Sequence, residues 1–301
     1  VHSILYDQEK ERATGVRVVD ANTKEMTEYY ATIIFVNAST INSTLILLNS
    51  TSDRFPNGLG NDHEILGHYL LAHNYRARLF ADVEGYEDKY YYGRRPHGAY
   101  LVRFRNFGDD RHPDFLRGYS YSMGAGRAQG DLDETDPPIG AMFKEKMSVP
   151  GPWRVGLTGM GECLPYYENK MTLSKDQVDE WGMPLVEFDC EWKENEHRMT
   201  QDILDEGEAM LEAGGFKNIE RVDSKQAMGL DIHEMGTARM GHDPKTSMLN
   251  RWNQIHSVKN VFVTDGSCMT STACQNPSIT YMALTARAAD YAVSELKKRN
   301  I

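Results

Sequence analysis

The sequence predicts an α+β protein with largely antiparallel sheets, flanked by helices. Three observations carry that expectation. Short apolar runs bounded by polar turns recur through residues 2–36 and 75–192. Two stretches, 193–216 and 278–298, instead read as helices, the first with its apolar residues on one face. Hydrophobic residues make up 40% of the 301-residue chain, enough for a packed core in one large domain or two ordinary ones.

The elements follow in order. HSILYD, GVRVVDA and EYYATIIFVNAS are separated by DQEKERATG and ANTKEM, and together predict an antiparallel meander. Its third strand, ATIIFVN, is apolar enough to be buried on both faces. ASTINSTLILLNS (38–50) then switches to a helical pattern behind small polar residues that can cap a helix. NGLGNDHEILGHYLLAHN (57–74), with glycines at 58, 60 and 67, reads as a loop entering a short helical turn. Aromatic and polar residues alternate from 75 to 160 and predict a second, antiparallel sheet. DLDETDPPIGAMFKEKMSVPGP (131–152) is polar and proline-rich and predicts a surface loop. PLVEFDCEW is a further strand. In the helix that follows, Met199, Ile203, Met210 and Leu211 share a face, and Gly214–Gly215 end it. The strand NVFVTDG and a helix from Ser278 to about Lys298 complete the chain.

Bulk properties exclude several functions. A net charge of −11 argues against a nucleic-acid partner, which needs a basic surface. No apolar run reaches the ~18 residues of a membrane span. The four cysteines form no CxxC pair, so neither a disulfide scaffold nor a zinc knuckle is expected.

Three motifs invite a site. DIHEMGTARMGHD (231–243) begins like the zinc motif HExxH, but position 237 is threonine where the second histidine belongs, so no metal is expected. GAGRAQG (124–130) offers glycines after an aromatic strand. Its third glycine comes one place late for a dinucleotide fingerprint and no helix follows, so a strand-to-loop bend is expected. NVFVTDG is different. It is an apolar strand opening onto Asp265, Gly266 and Ser267, the kind of strand end where α/β proteins place ligands. Ten residues on, Gln275-Asn276-Pro277-Ser278 leads into the last helix. Asn276 or Ser278 can cap it, Pro277 suits its first turn, and its N-terminus favours an anion or electron-rich ring. A plain capped helix explains that spacing equally well.

Together, His233-x-x-Gly236-Thr237-x-x-Met240, VFVTDGS and QNPSITYMALTARAADYA resemble the C-terminal signature of the glucose–methanol–choline (GMC) flavoprotein oxidoreductases. ASTINSTLILLNS followed by NGLGNDHEILGHYLLAH resembles that family's second signature. GECLPYYENKMTLSKDQVDEWGMP is similar to its sugar-oxidising branch, of pyranose oxidase and glucoside dehydrogenase type. The resemblance is strongest in the last 70 residues and weakest in 75–155. It implies FAD as cofactor, with residues 1–73 and 228–301 in a partial FAD-binding domain and 74–227 in a substrate domain. Family members start with a Rossmann unit carrying GxGxxG, absent here, so the chain is expected to be the C-terminal half of a longer enzyme and, on its own, to bind FAD poorly or not at all.

The same resemblance implies the site. His233 would act as base and Asn276 would orient the substrate hydroxyl. Asp265, Gly266, Pro277, Ser278, Ala38 and Ser39 would line the FAD. Imidazole suits proton abstraction because its ordinary pKa lies near neutrality, whereas an amide can only donate a hydrogen bond to the alcohol. The expected substrate is a sugar, glycoside, polyol or other small alcohol. No motif names the electron acceptor, the oligomeric state, or a cytoplasmic as against a periplasmic location. The competing expectation is a non-catalytic carbohydrate-binding module using the aromatic sheet (Tyr90, Tyr91, Tyr92, Tyr119, Tyr121).

Overall fold

A computed structural model describes residues 1–89, 98–127, 139–230 and 232–301. In chain order its elements begin with β1 (Ser3–Asp7), β2 (Arg12–Val19), β3 (Met26–Tyr30), β4 (Ile34–Val36), α1 (Thr40–Asn49), β5 (His73–Asn74) and β6 (Ala77–Val83). There follow β7 (Ala99–Leu101), β8 (Tyr119–Arg127), α2 (Ala141–Ser148), β9 (Trp153–Glu162), β10 (Lys170–Val178) and β11 (Pro184–Asp189). The chain ends with α3 (Glu194–Ala213), β12 (Lys217–Asp223), β13 (Gln254–Ile255), β14 (Val258–Val263), a 3-10 turn (Gly266–Cys268) and α4 (Ser278–Lys297).

The chain divides into two compact units. Unit one is Val1–His73, Cys163–Glu191 and Ala227–Ile301; unit two is Asn74–Glu162 and Trp192–Gln226. The span expected as one substrate domain, 74–227, is thus shared, because the β10–β11 hairpin clusters with unit one.

In unit one the expected third meander strand is two strands in two sheets. β3 closes the antiparallel β1-β2-β3 sheet and is exposed throughout. β4 leaves it and pairs parallel with β14, Ile34 opposite Val261 and Val36 opposite Val263. Buried Asn260 fixes the corner: its side chain accepts from Ala13 N (3.1 Å) and donates to Ala13 O (2.7 Å) and Thr32 O (2.9 Å). The core below joins Ile34, Val36, Leu47, Leu59, Leu249, Val261 and Val263. The segment 57–72 forms turns rather than the expected helical turn.

Unit two is a sheet in the order β12-β6-β9-β8-β7, each neighbour antiparallel, with α3 packed on it. The apolar stripe of α3 does what its spacing predicts: Met199, Ile203 and Leu211 meet Leu79, Val155 and Leu157 in one core. Two expectations fail here. Tyr119 and Tyr121 are 0% exposed, so neither can present a ring to a carbohydrate. Tyr119 donates to Asp202 (2.5 Å) and Tyr121 to Ile203 O (2.6 Å), which satisfies both hydroxyls inside the core. Tyr90, Tyr91 and Tyr92 lie outside the described residues. The expected 131–152 loop contains α2, because its prolines bracket AMFKEKMS, a run of good helix formers, rather than interrupting it. Gly124 and Gly126 sit within β8, as strand rather than phosphate loop.

Candidate active site

The site is built where β4 and β14 end side by side in unit one. Asn37, just past β4, accepts on Oδ1 from Thr264 N (3.2 Å) and Thr264 Oγ1 (2.8 Å), just past β14. One strand end runs through Ala38 and Ser39 into α1; the other runs through Asp265 into the 3-10 turn. Ser43, one turn into α1, links them: its hydroxyl accepts from Ala38 N (2.9 Å) and donates to Asp265 Oδ2 (2.5 Å). The other Asp265 oxygen accepts from Ser267 N (3.0 Å) and Ser267 Oγ (2.5 Å). Both oxygens of Asp265 therefore hold the turn together.

The DIHEMGTARMGHD segment docks onto the same place. Thr40 donates to Glu234 O, Thr44 and Thr237 hydroxyls lie 2.7 Å apart, and Gly236 N donates to Gly266 O (3.3 Å). His233 (φ 66°), Gly236 (φ 84°) and Thr237 (φ 68°) all adopt left-handed backbone. At Gly236 a side chain is impossible without moving the chain, since a Cβ would stand 2.0 Å from Tyr69 O. Gly266 is likewise confined: a Cβ would meet Thr40 Oγ1 at 2.3 Å and Glu234 O at 2.5 Å. From α4, Tyr281 approaches Gly266 and Thr285 donates to Thr264 Oγ1 (2.7 Å).

The structure thus brings His233, Asp265, Gly266, Ala38 and Ser39 into one hydrogen-bonded neighbourhood. His233 is half-buried, and burial holds its pKa below the ordinary 6.5 against the opposing charge of Glu234, so the ring is neutral at neutral pH. Asn276 is exposed on the segment entering α4, and among the described residues it makes no hydrogen bond with His233. Pro277, buried, is the N-cap residue of α4, and Ser278 opens its first turn. Neither Asn276 nor Ser278 caps that helix: its N-terminus has no side-chain cap and no acid in the first turn. Two of its first N–H groups turn back on the chain, Thr280 N and Tyr281 N both donating to Pro277 O (2.9 and 3.2 Å). Ser39 (φ 71°, ψ 162°) holds a conformation suited to glycine. His242 is exposed on the loop beyond Gly241.

No sequence signal marks His73, whose Nε2 lies 2.9 Å from His233 Nδ1, because 160 positions separate the two. Thr40 and Ser43 carried only a capping signal, and Tyr69 none. Buried Cys268 is a packing thiol, pushed up to about 12 by burial and the charge of Asp265. Among the described residues no cluster of three or more His, Cys, Asp or Glu side chains could hold a metal, and no helix is long and apolar enough to cross a membrane.

Comparison with known proteins agrees with this architecture. The chain is 31% identical over 292 residues to 2-methyl-1,2-propanediol dehydrogenase of Mycolicibacterium austroafricanum, covering 93% of this chain and 51% of the relative. It is 25% identical over 312 residues to the fructose dehydrogenase large subunit of Gluconobacter japonicus, covering 99% and 54%. The crystal structure of pyridoxine 4-oxidase from Mesorbium loti shares the fold, with a TM-score of 0.58 at 15% identity, over 98% of this chain and 56% of that one. The chain spans about half the length of the curated relatives it matches. Residues 165–285, from just ahead of β10 into the first turns of α4, match the sequence model of the GMC oxidoreductases.

Proposed function

We propose that the chain supplies the catalytic half of an FAD-dependent enzyme that oxidises a CH–OH group of a sugar, glycoside or polyol. One observation carries this reading most: the left-handed loop of neutral His233 is held, through Glu234 O and Gly236 N, by Thr40 and Gly266 just past the ends of β4 and β14, and the chain runs on from there to the uncapped N-terminus of α4. The names of the relatives, a propanediol dehydrogenase and a fructose dehydrogenase, favour a polyol or sugar.

Members of the family are flavoproteins, and bound FAD would accept a hydride from the substrate carbon. The chain's own groups do the rest. His233 Nε2 takes the hydroxyl proton as the hydride departs, and its lowered pKa keeps that lone pair available at neutral pH. The Asn276 amide donates a hydrogen bond to the substrate oxygen and fixes its orientation. The N-terminus of α4, with Pro277 and Ser278, would favour negative charge on a flavin ring held there. Ala38, Ser39, Asp265 and Gly266 would hold the remainder of the cofactor. Unit one is then the FAD-binding portion and unit two the substrate-binding portion.

The test is His233→Ala in the full-length enzyme. Flavin should remain bound while its reduction by substrate slows by about 10²–10⁴-fold, the usual contribution of a general base. Undiminished reduction in stopped flow would sink the assignment.

A further inference from the structure

His73 is the last residue of unit one and 1% exposed. Its ring meets His233 edge to face, centroids 5.0 Å apart and planes at 80°, with Nε2 2.9 Å from His233 Nδ1. The contact follows from backbone register. Leu71 and Met235 form an antiparallel bridge, each N–H donating to the other's carbonyl at 3.0 and 2.8 Å. Two residues outward on each arm stand His73 and His233, on the same face and opposite one another. Gly236, which admits Tyr69 O against its Cα, allows the two arms to close this tightly.

A neutral imidazole has one N–H, so in this pair one ring donates and the other accepts. The direction decides what His233 offers to substrate. If His73 donates, the His233 proton sits on Nε2 and the ring presents a donor. If His233 donates through Nδ1–H, Nε2 presents a lone pair. We propose that His73 is a positioning residue that accepts the Nδ1–H of His233 and so holds His233 in the tautomer whose Nε2 can act as base. The inference rests on the reading of His233 as the base. During oxidation the hydroxyl proton passes to Nε2, the carbon's hydride passes to the flavin as two-electron acceptor, and the alcohol becomes a carbonyl. His233 is then an imidazolium with both nitrogens protonated, and its bond to His73 becomes charge-assisted and stronger. His73 itself gains no proton. Without an acceptor there, His233 would favour the Nε2–H form, the more stable tautomer of an isolated neutral histidine side chain, and the base would be blocked.

Ring ¹⁵N spectra of the histidine-labelled, FAD-loaded full-length enzyme test this directly, with the His233 signals assigned by their loss in His233→Gln. In the wild type, His233 should carry its proton on Nδ1 at neutral pH. His73→Gln, whose side-chain carbonyl can still accept, should keep that tautomer, and His73→Leu should shift it to Nε2–H. Flavin reduction at saturating substrate should fall about 10- to 100-fold in His73→Leu, in the range for losing a partner that orients a reactive histidine, and recover in His73→Gln. An Nε2–H tautomer in the wild type would overturn the proposal, and that spectrum decides even if His73→Leu fails to fold. So would an unchanged tautomer and rate in a folded His73→Leu. If His233→Ala is inactive while the wild-type tautomer is Nε2–H, the role of His73 alone fails. If His233→Ala reduces flavin normally, the base reading fails first and takes the catalytic consequence with it.

Discussion

Unit one and unit two are held together by different chemistry. In unit two, a 20-residue helix lays an apolar stripe on an antiparallel sheet, and its polar groups sit at the rim, where Arg105 binds Asp202 and Glu206. In unit one, the place where β4 and β14 end is laced by hydroxyls, amides and bare glycine Cα atoms from the 37–44, 233–237 and 264–268 segments. Apolar packing tolerates adjustment, since neighbours can relax into a vacated volume. A laced turn does not, because each bond is set by a backbone position. The difference locates rigidity where reactive groups must be placed to within a fraction of an ångström and leaves bulk cohesion to the sheet.

The largest expected effect tests the laced side. Gly236→Ala puts a Cβ 2.0 Å from Tyr69 O on left-handed backbone, and should cost on the order of 4 kcal/mol in urea-unfolding measurements. A cost under about 1 kcal/mol would show that the turn can relax after all. On the packed side, Ile203→Ala should cost about 3 kcal/mol through the cavity it leaves. Hydrogen exchange should then quicken in β6, β9 and α3 and not at Leu71 and Met235; equal loss at both places would break the contrast between the units. Ser39→Gly sharpens it from the other direction. Relieving the non-glycine conformation there should stabilise the protein by about 1 kcal/mol, visible as a raised urea midpoint.

The smallest effect is in pH. Burial is the main cause that lowers the pKa of His2, His233 and His256 below 6.5. Their folded forms bind protons less readily than the unfolded chain, so stability is complete above 6.5 and declines as pH falls through and below it. Thermal midpoints measured from about pH 7.5 to 5 should fall on the acid side, and less so in His256→Gln. A midpoint that rises on acidification would contradict the burial of these rings.

Much of this was legible in the sequence, for reasons that are local. α3 and α4 announce themselves by length and spacing, and Gly236 and His233 lie in one short motif whose resemblance is specific. What was hidden depends on partners far along the chain. The split between β3 and β4 cannot be seen at residue 31, because the strand that captures β4 arrives 227 residues later. His73 looks like a loop histidine until the Leu71–Met235 bridge sets it opposite His233. Aromatic alternation in β8 identified a strand but not which face was core, and so offered Tyr119 and Tyr121 as a ligand surface when they are its interior. α2 was masked by prolines at its borders, which composition cannot distinguish from prolines within.

The lacing also has a consequence for biosynthesis. Ser43 finds Asp265 across 222 residues, and Ala13 finds Asn260 across 247. At translation rates of roughly 5–20 residues per second, α1 emerges roughly 10–40 s before the partner that fixes its first turn. Through that interval the Ser43 hydroxyl lacks its acceptor, and the apolar strand β4 beside it lacks its paired strand. The histidine site therefore cannot form before β14 is made, so a chain stopped short of β14 has α1, α2 and α3 but nowhere to assemble its chemistry.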